Sequence, residues 1–321
     1  MHAFFSIVAS CIPLDNPFPF SPDFDIQAVS SLAQSFPSHS WEFGTTSQAL
    51  LELYNSSLSL FSCDPFNADV QPYGVHSLKY VQQAITISED SKNTLANSNG
   101  AVGDLASLGV AAVMLGRSIP MYREAADRQL NFVVNEAPRY WNGAISHCVE
   151  RPELWADFTY MAPPFIAYYS IIMNNLSLLQ QSVDQCCLYR EILRAELYSN
   201  LWRHILNPSL TPDGGLWSTG NAWAAAGMTR VLATVMKAPE YLGIDPDWRA
   251  NVVESLTTWI KEILDVAIAS PTDQGLLRNY LDDTWDNGHG FGEISGSSLL
   301  AAVAYCMVVL RPEACGRSYV N

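Results

Sequence analysis

Glu153-Leu154-Trp155-Ala156-Asp157-Phe158-Thr159-Tyr160-Met161-Ala162-Pro163-Pro164-Phe165 interrupts an otherwise helical chain. Pro152 suits a helix start, whereas Pro163 and Pro164 prevent an undisturbed helix through that point, so Asp157 is expected on a short or kinked turn. On such a turn Tyr160 and Met161, three and four residues further on, share its face, with Trp155 close by. Apolar neighbours of that kind raise a carboxyl pKa towards the range useful for proton donation, while a nearby helix N-terminus lowers it. The plainer reading is that Asp157 caps the following turn and the aromatic residues are core.

Outward from this segment, apolar residues recur at spacings of three and four near 45–60, 74–88, 104–117, 119–136, 164–174, 178–205, 220–237, 247–268 and 294–310, which predicts helices there. Strand-like alternation is scarce. Asp104 can cap the helix from Leu105, Asp245-Pro246 opens the helix over 247–268, and Pro239 and Pro312 lie just past helix ends. The first 25 residues, with Pro13, Pro17, Pro19 and Pro22, read as an irregular arm. No Gly/Ser linker or close repeat divides the rest. Residues 26–321 are therefore expected to form one all-α domain of successive helical hairpins.

Composition narrows the function. A chain of 321 residues with 49% hydrophobic content can bury a large core. Its 17 Lys and Arg against 32 Asp and Glu give a net charge of -15, which repels nucleic acid and anionic membrane surfaces. No stretch approaches the roughly 20 apolar residues of a membrane span. The seven Cys show no zinc-binding spacing, so no metal or other cofactor is expected. Met1 to Ser10 carries a short apolar run without a basic n-region, a weak signal-like feature that points to secretion, with a cytoplasmic location as the alternative.

Three loop regions hold the unusual polar and aromatic clusters, and loops on one face of a rigid scaffold are where binding groups concentrate. The first includes Gly143-Ala144-Ile145-Ser146-His147 and the Asp157 segment. The second is Gly214-Gly215-Leu216-Trp217-Ser218-Thr219-Gly220-Asn221-Ala222-Trp223, in which two indoles and an amide form a plausible sugar cradle, or else a loop entering a helix with Trp as its staple. The third, Asp282 to Ser297, is acidic and contains His289 in a Gly-rich stretch, but lacks the spacing of a calcium loop. Gly103-Asp104 opens a helix and adds a further carboxylate. No phosphate loop, dinucleotide fingerprint, nucleophile elbow or His-Glu-x-x-His is present.

Taken together, Trp155-Ala156-Asp157 through Phe165, Trp217 through Trp223, and Leu276-Leu277-Arg278-Asn279-Tyr280 with Gly290 through Leu300 resemble glycoside hydrolase family 105, the unsaturated rhamnogalacturonyl hydrolases of the six-hairpin glycosidase superfamily, in its fungal branch. The resemblance runs from about Ser38 to about Pro312, with Ser40-Trp41-Glu42-Phe43-Gly44-Thr45 and Gly103-Asp104 as weaker anchors. It implies an (α/α)6 toroid, possibly without its last hairpin. It also implies removal of an unsaturated uronyl residue from pectin-derived oligosaccharides by acid/base hydration of the ring double bond. On that resemblance Asp157 is the acid/base and Asp104 the second carboxylate. His147, Trp155, Tyr160, Trp217, Asn221 and Trp223 line the pocket with Thr219, and His289 is added from its loop.

The sequence also departs from the family pattern. Thr219 stands where some members carry an Arg that meets the substrate carboxylate, Ala222 where Gly is common, and Cys148 and Cys306 where Arg is common. These departures motivate two other expectations: a toroid repurposed for a different small molecule in a specialised pathway, or a non-catalytic sugar-binding homologue. An open ring would expose apolar faces, so a homo-oligomer is a further expectation.

Overall fold

The computed structural model describes residues 23–66, 72–195, 200–206, 213–284, 288–316 and 319. Apart from Asp23, Phe24 and Asp25, the N-terminal arm and its signal-like run lie outside the described residues. In chain order the helices are α1 (Ile26–Ser35), α2 (Ser40–Tyr54), α3 (His76–Gln82), α4 (Gly103–Ala106), α5 (Gly109–Gly116), α6 (Pro120–Asn131), α7 (Phe158–Met161), α8 (Pro163–Ile172), α9 (Leu176–Leu193), α10 (Ser218–Lys237), α11 (Pro246–Ala269) and α12 (Ile294–Leu310). Two antiparallel pairs of two-residue strands accompany them: β1 (Leu154–Trp155) with β2 (Ile205–Leu206), and β3 (Thr272–Asp273) with β4 (Leu276–Leu277).

Burial sorts the helices into two layers. In α5 and α8 nearly every residue is buried, and in α10 everything from Ser218 to Val235 is buried, as expected of inner helices surrounded by others. By contrast α9 buries Leu179, Val183, Cys186, Tyr189 and Leu193, and α11 buries Val252, Leu256, Ile260, Ile263 and Ala267, the single stripe of outer helices. The hairpins α5–α6, α8–α9 and α10–α11 each pair an inner helix with an outer one, and α10 also packs against α7 and α12. The architecture is therefore all-α, an array of helical hairpins with one continuous core. The helix α12 is apolar almost all round, yet it buries one stripe and leaves Tyr305 and Val309 on the surface.

Small residues let α10 approach its neighbours. A Cβ placed on Gly227 would sit 2.0 Å from the backbone oxygen of Thr159 in α7. Gly227→Ala gains helix propensity of about 1 kcal/mol but must push α10 off α7, an overpacking that costs about 1–3 kcal/mol. A net loss is expected in an equilibrium unfolding experiment, together with reduced order at Asp157 on the other end of α7.

Several expected boundaries shift. The helix expected over 178–205 ends at Leu193; the chain returns through an Arg194–Trp202 bridge into β2, burying Trp202 and Ile205 at spacings that mimic helical periodicity. The helix expected from Asp104 breaks at Ser107-Leu108 into α4 and α5, and Asp104 lies inside the first turn of α4 rather than at its cap. Pro152 does not start a helix; β1 follows it. The Asp245 cap and the Pro246 start hold, with the Asp245 side chain accepting from Trp248 N.

The two strand pairs and the single bridges Ala101–Cys148 and Trp217–Tyr280 knit the loops at one end of the array, where α4, α7, α10 and α12 begin. Among the described residues no helix is long and apolar enough to cross a membrane.

Candidate active site

β1–β2 pairing determines the centre of the site. Trp155 pairs with Ile205, and Ala156 N donates to His204 O at 2.9 Å, so the residues that follow β1 and precede β2 lie side by side. Asp157 and His204 therefore face each other, with Asp157 Oδ2 3.4 Å from His204 Nε2. Asp157 occupies the N-terminal position of α7, but its side chain makes no capping bond, so the plainer reading of it as a cap does not describe it. Its Oδ2 is buried and has no well-directed hydrogen bond, an arrangement suited to a carboxyl that exchanges protons rather than one tied to the scaffold.

The other face of His204 is held firmly. Its Nδ1 lies 2.7 Å from Asp213 Oδ2, which also accepts from Tyr280 Oη at 2.8 Å, and Asp213 Oδ1 accepts from Gly215 N at 3.1 Å. Burial works against a charged His204, but the close contact and charge of Asp157, with the hydrogen bond and charge of Asp213, outweigh it and raise the imidazole above its ordinary pKa. Burial likewise opposes ionisation of Asp213, yet the bonds from His204, Tyr280 and Gly215 hold its carboxyl below the usual range. Burial and Asp213 together push the Tyr280 phenol up to about 12.

Aromatic rings wall this centre. Trp217 lies 4.4 Å from the His204 ring, and its indole nitrogen is fixed by Asn279 Oδ1 at 3.0 Å. Trp155 meets His204 edge-on at 5.8 Å and stacks on His147 at 4.7 Å. Behind that stack, His147 Nε2 is 3.7 Å from Asp104 Oδ1. Burial raises the Asp104 carboxyl, His147 and His39 pull it back, and the charge of Asp157 pushes it further up, so the two carboxylates sense each other. Glu153 is buried beneath Trp155, accepting from its indole at 3.2 Å. Burial, and then Glu153, push the Cys148 thiol up to about 12.

The structure thus brings together Asp157, Asp104, His147, Trp155 and Trp217, and places the other predicted residues differently. Tyr160 and Trp223 pack 4.6 Å apart within the core, with Trp41 against Trp223. The Asn221 amide is fully engaged with backbone, donating to Trp202 O and Trp217 O and accepting from Trp202 N, so it ties the loop to α10. Thr219 is buried, 3.3 Å from Ser295 Oγ, on the side of Glu293. Glu293 caps α12, accepting from the Ser295 hydroxyl, Gly296 N and Ser218 Oγ, and although burial opposes it these bonds keep its carboxyl low. His289 is exposed and meets the edge of Tyr280 at 6.3 Å.

His204 and Asp213 went unread in the sequence. His204 stood inside a stretch whose apolar spacing imitated a helix, and nothing local distinguishes it. Tyr280 and Asn279 lay within a segment that carried the resemblance but had no assigned role. Among the described residues, no group of three or more His, Cys, Asp or Glu is placed to hold a metal ion.

Comparison with known proteins adds three relatives. The unsaturated rhamnogalacturonyl hydrolase YesR of Bacillus subtilis is 23% identical over 192 residues, covering 57% of this chain and 51% of that protein, so this chain spans about half the length of the curated relative it matches. A family 105 glycoside hydrolase of C. acetobutylicum superposes with a TM-score of 0.65 at 15% identity, over 91% of this chain and 76% of that one. An unsaturated glucuronyl hydrolase of Bacillus sp. GL1, described as responsible for glycosaminoglycan degradation, superposes with a TM-score of 0.57 at 13% identity, over 92% and 78%. The fold is accordingly that of the six-hairpin toroids. The model described as Glycosyl Hydrolase Family 88 matches residues 80–312, from α3 to just past α12 and across every residue of the His204 and Asp157 cluster, and the chain belongs to that family.

Proposed function

We propose that this chain is a glycoside hydrolase that removes an unsaturated uronyl residue from a pectin-derived oligosaccharide by hydrating the ring double bond. The observation that carries the reading is the buried, uncapped Asp157 carboxyl facing His204 between the Trp155 and Trp217 rings. Such a carboxyl donates a proton to the double-bonded ring carbon, then removes one from the water that attacks the neighbouring carbon. The hemiketal formed opens and releases the remaining sugar. A second, displacing carboxylate is not required, which suits Asp104 as a group that sets the local field and binds rather than attacks. The indole faces give the sugar ring flat apolar contact.

Loss of absorbance from the conjugated double bond tests this directly. Unsaturated rhamnogalacturonan and glucuronan disaccharides are incubated with the protein, and the signal is expected to fall for at least one of them. Unchanged absorbance with both would refute the activity.

Thr219 favours a second reading. Its hydroxyl faces Ser295 with the ionised Glu293 beside it, so this side of the fold carries a negative charge where an arginine fork would pair with a substrate carboxylate. In this reading the pocket takes a neutral sugar or another small molecule. A saturated methyl glycoside that binds more tightly than its uronic acid counterpart, read by Trp fluorescence, supports it; tighter binding of the acid overturns it.

A further inference from the structure

The orientation of His204 follows from its neighbours. An ionised carboxylate only accepts hydrogen bonds, so at 2.7 Å from Asp213 Oδ2 the hydrogen must sit on His204 Nδ1. The Tyr280 hydroxyl donates to the same oxygen, and Gly215 N–H donates to the other, so both oxygens of Asp213 are committed as acceptors. With Nδ1 protonated, Nε2 of the neutral ring carries only a lone pair, and it faces Asp157 Oδ2 at 3.4 Å. Whatever proton the pair holds therefore lies between Nε2 and Asp157.

We propose that Asp213, backed by Tyr280, is a positioning residue that fixes the His204 tautomer and so makes His204 the proton reservoir of Asp157. The proposal rests on the hydration reading above. Before each turnover the proton leaves Nε2 and binds Asp157 Oδ2: an N–H bond breaks, an O–H bond forms, and the charges of both partners are neutralised together. Asp157 delivers that proton to the ring carbon, and the proton taken from water afterwards returns through Asp157 to Nε2. The net reaction adds one water and leaves the pair as it began. The 3.4 Å gap is of the kind that closes when substrate occupies a site.

The groups facing His204 are few. Asp157 meets it from the start of α7, and Asp213 from the segment before α10 with Tyr280 behind it. Trp155 and Trp217 flank the ring, and Asp104 and His147 stand on the far side of Trp155. Both carboxylates that touch the imidazole favour its charged form, and Asp213 is the one not consumed by the chemistry.

Asp213→Asn tests the assignment with little change in shape. Gly215 N–H requires an acceptor, which turns the asparagine oxygen towards it and the amide nitrogen towards His204 and Tyr280. The amide then donates to Nδ1, and the neutral imidazole must carry its hydrogen on Nε2. In nitrogen-15 NMR of the histidines, with His204 identified by His204→Gln, the wild type is expected to keep Nδ1 protonated across the titration. The variant is expected to show the Nε2 tautomer and a titration midpoint about one pH unit lower. In the disaccharide assay the high-pH limb of kcat moves down by a similar amount while KM changes little, a pattern that a merely structural role would not give. If the variant does not fold, Tyr280→Phe removes one bond to Asp213 Oδ2 and is expected to lower the midpoint by less, in the same direction. An unmoved tautomer and midpoint would overturn the proposal, even in an active enzyme. The NMR readout needs no substrate, so absent turnover would refute the hydrolase reading separately.

Discussion

Asp157→Asn is expected to lower turnover of an unsaturated uronyl disaccharide by about 10²–10⁴-fold, towards the upper end because in the proposed hydration one carboxyl both donates and removes a proton. The amide keeps the size and shape of the side chain. Asp157 makes no capping bond and its Oδ2 no well-directed hydrogen bond, so its part in folding is confined to the charge it presents to His204, which Asp213 continues to support in the variant. The loss should therefore fall on kcat, with an unchanged far-ultraviolet circular dichroism spectrum and a thermal midpoint close to that of the wild type. The contrast with Asp213 sharpens the expectation, because that carboxylate holds three donors and its removal should reach both pH profile and stability. Retention of more than a tenth of the wild-type kcat would remove Asp157 from the role of acid/base.

The same geometry fixes the sign of a pH effect on stability. The raised His204 contributes stability that is present below its unfolded pKa and is lost as pH rises through the folded one. Asp213, held low, contributes stability present above its unfolded pKa and lost as pH falls through the folded one. Between those limits the ion pair is intact in the folded protein, so the wild type is expected to be most stable at mildly acidic to neutral pH. Unfolding midpoints of wild type and Asp213→Asn should converge at strongly acid pH, where Asp213 is protonated in both the folded and the unfolded chain; a constant difference down to that limit would count against the pair.

The parts of the fold and site that could be read in the sequence share a physical basis. The α11 and α12 helices were legible because an unbroken spacing of three and four, a Pro246 start and a Pro312 stop act locally. The interruption at Asp157 was legible because Pro163 and Pro164 dictate backbone whatever surrounds them. His204 was not, since its role arises from β1–β2 pairing, a contact between segments some fifty residues apart that leaves no local periodicity. Asn221 was misplaced for a related reason: a buried amide beside two Trp reads equally as a sugar ligand or as a clamp on backbone, and only the positions of Trp202 and Trp217 decide. Thr219 could be seen as unlike an arginine, whereas the carboxylate of Glu293 beside it came from a distant helix start.

Glu52→Gln is expected to destabilise the protein by about 3 kcal/mol or more, because it strands a buried charge between α10 and α2. Arg230 reaches from α10 to α2, 2.5 Å from Glu52 Oε1 and 3.3 Å from Gln48 Oε1, with the Tyr160 and Phe61 rings 5.4 and 5.5 Å from its guanidinium. Guanidinium does not shed its proton, so Glu52→Gln leaves a buried cation facing two neutral amides and two ring faces with no opposite charge. Nearby Cys306 offers no relief: burial and then Glu52 push its thiol up to about 12, so it stays neutral. Arg230→Met costs less, about 2 kcal/mol, because Glu52 keeps about a third of its side chain in water (33%) and the methionine fills much of the space. The double variant should be nearly as stable as Arg230→Met alone, since the stranded charge no longer exists. Urea unfolding of the four proteins reads this coupling directly, and strictly additive losses would show that the pair contributes nothing as a pair. The consequence for the site follows from Tyr160, which belongs to α7 and rests against Arg230: the pair anchors the helix whose first turn presents Asp157, so Glu52→Gln should lower hydrogen-exchange protection of the Asp157 region most, while the double variant should match Arg230→Met.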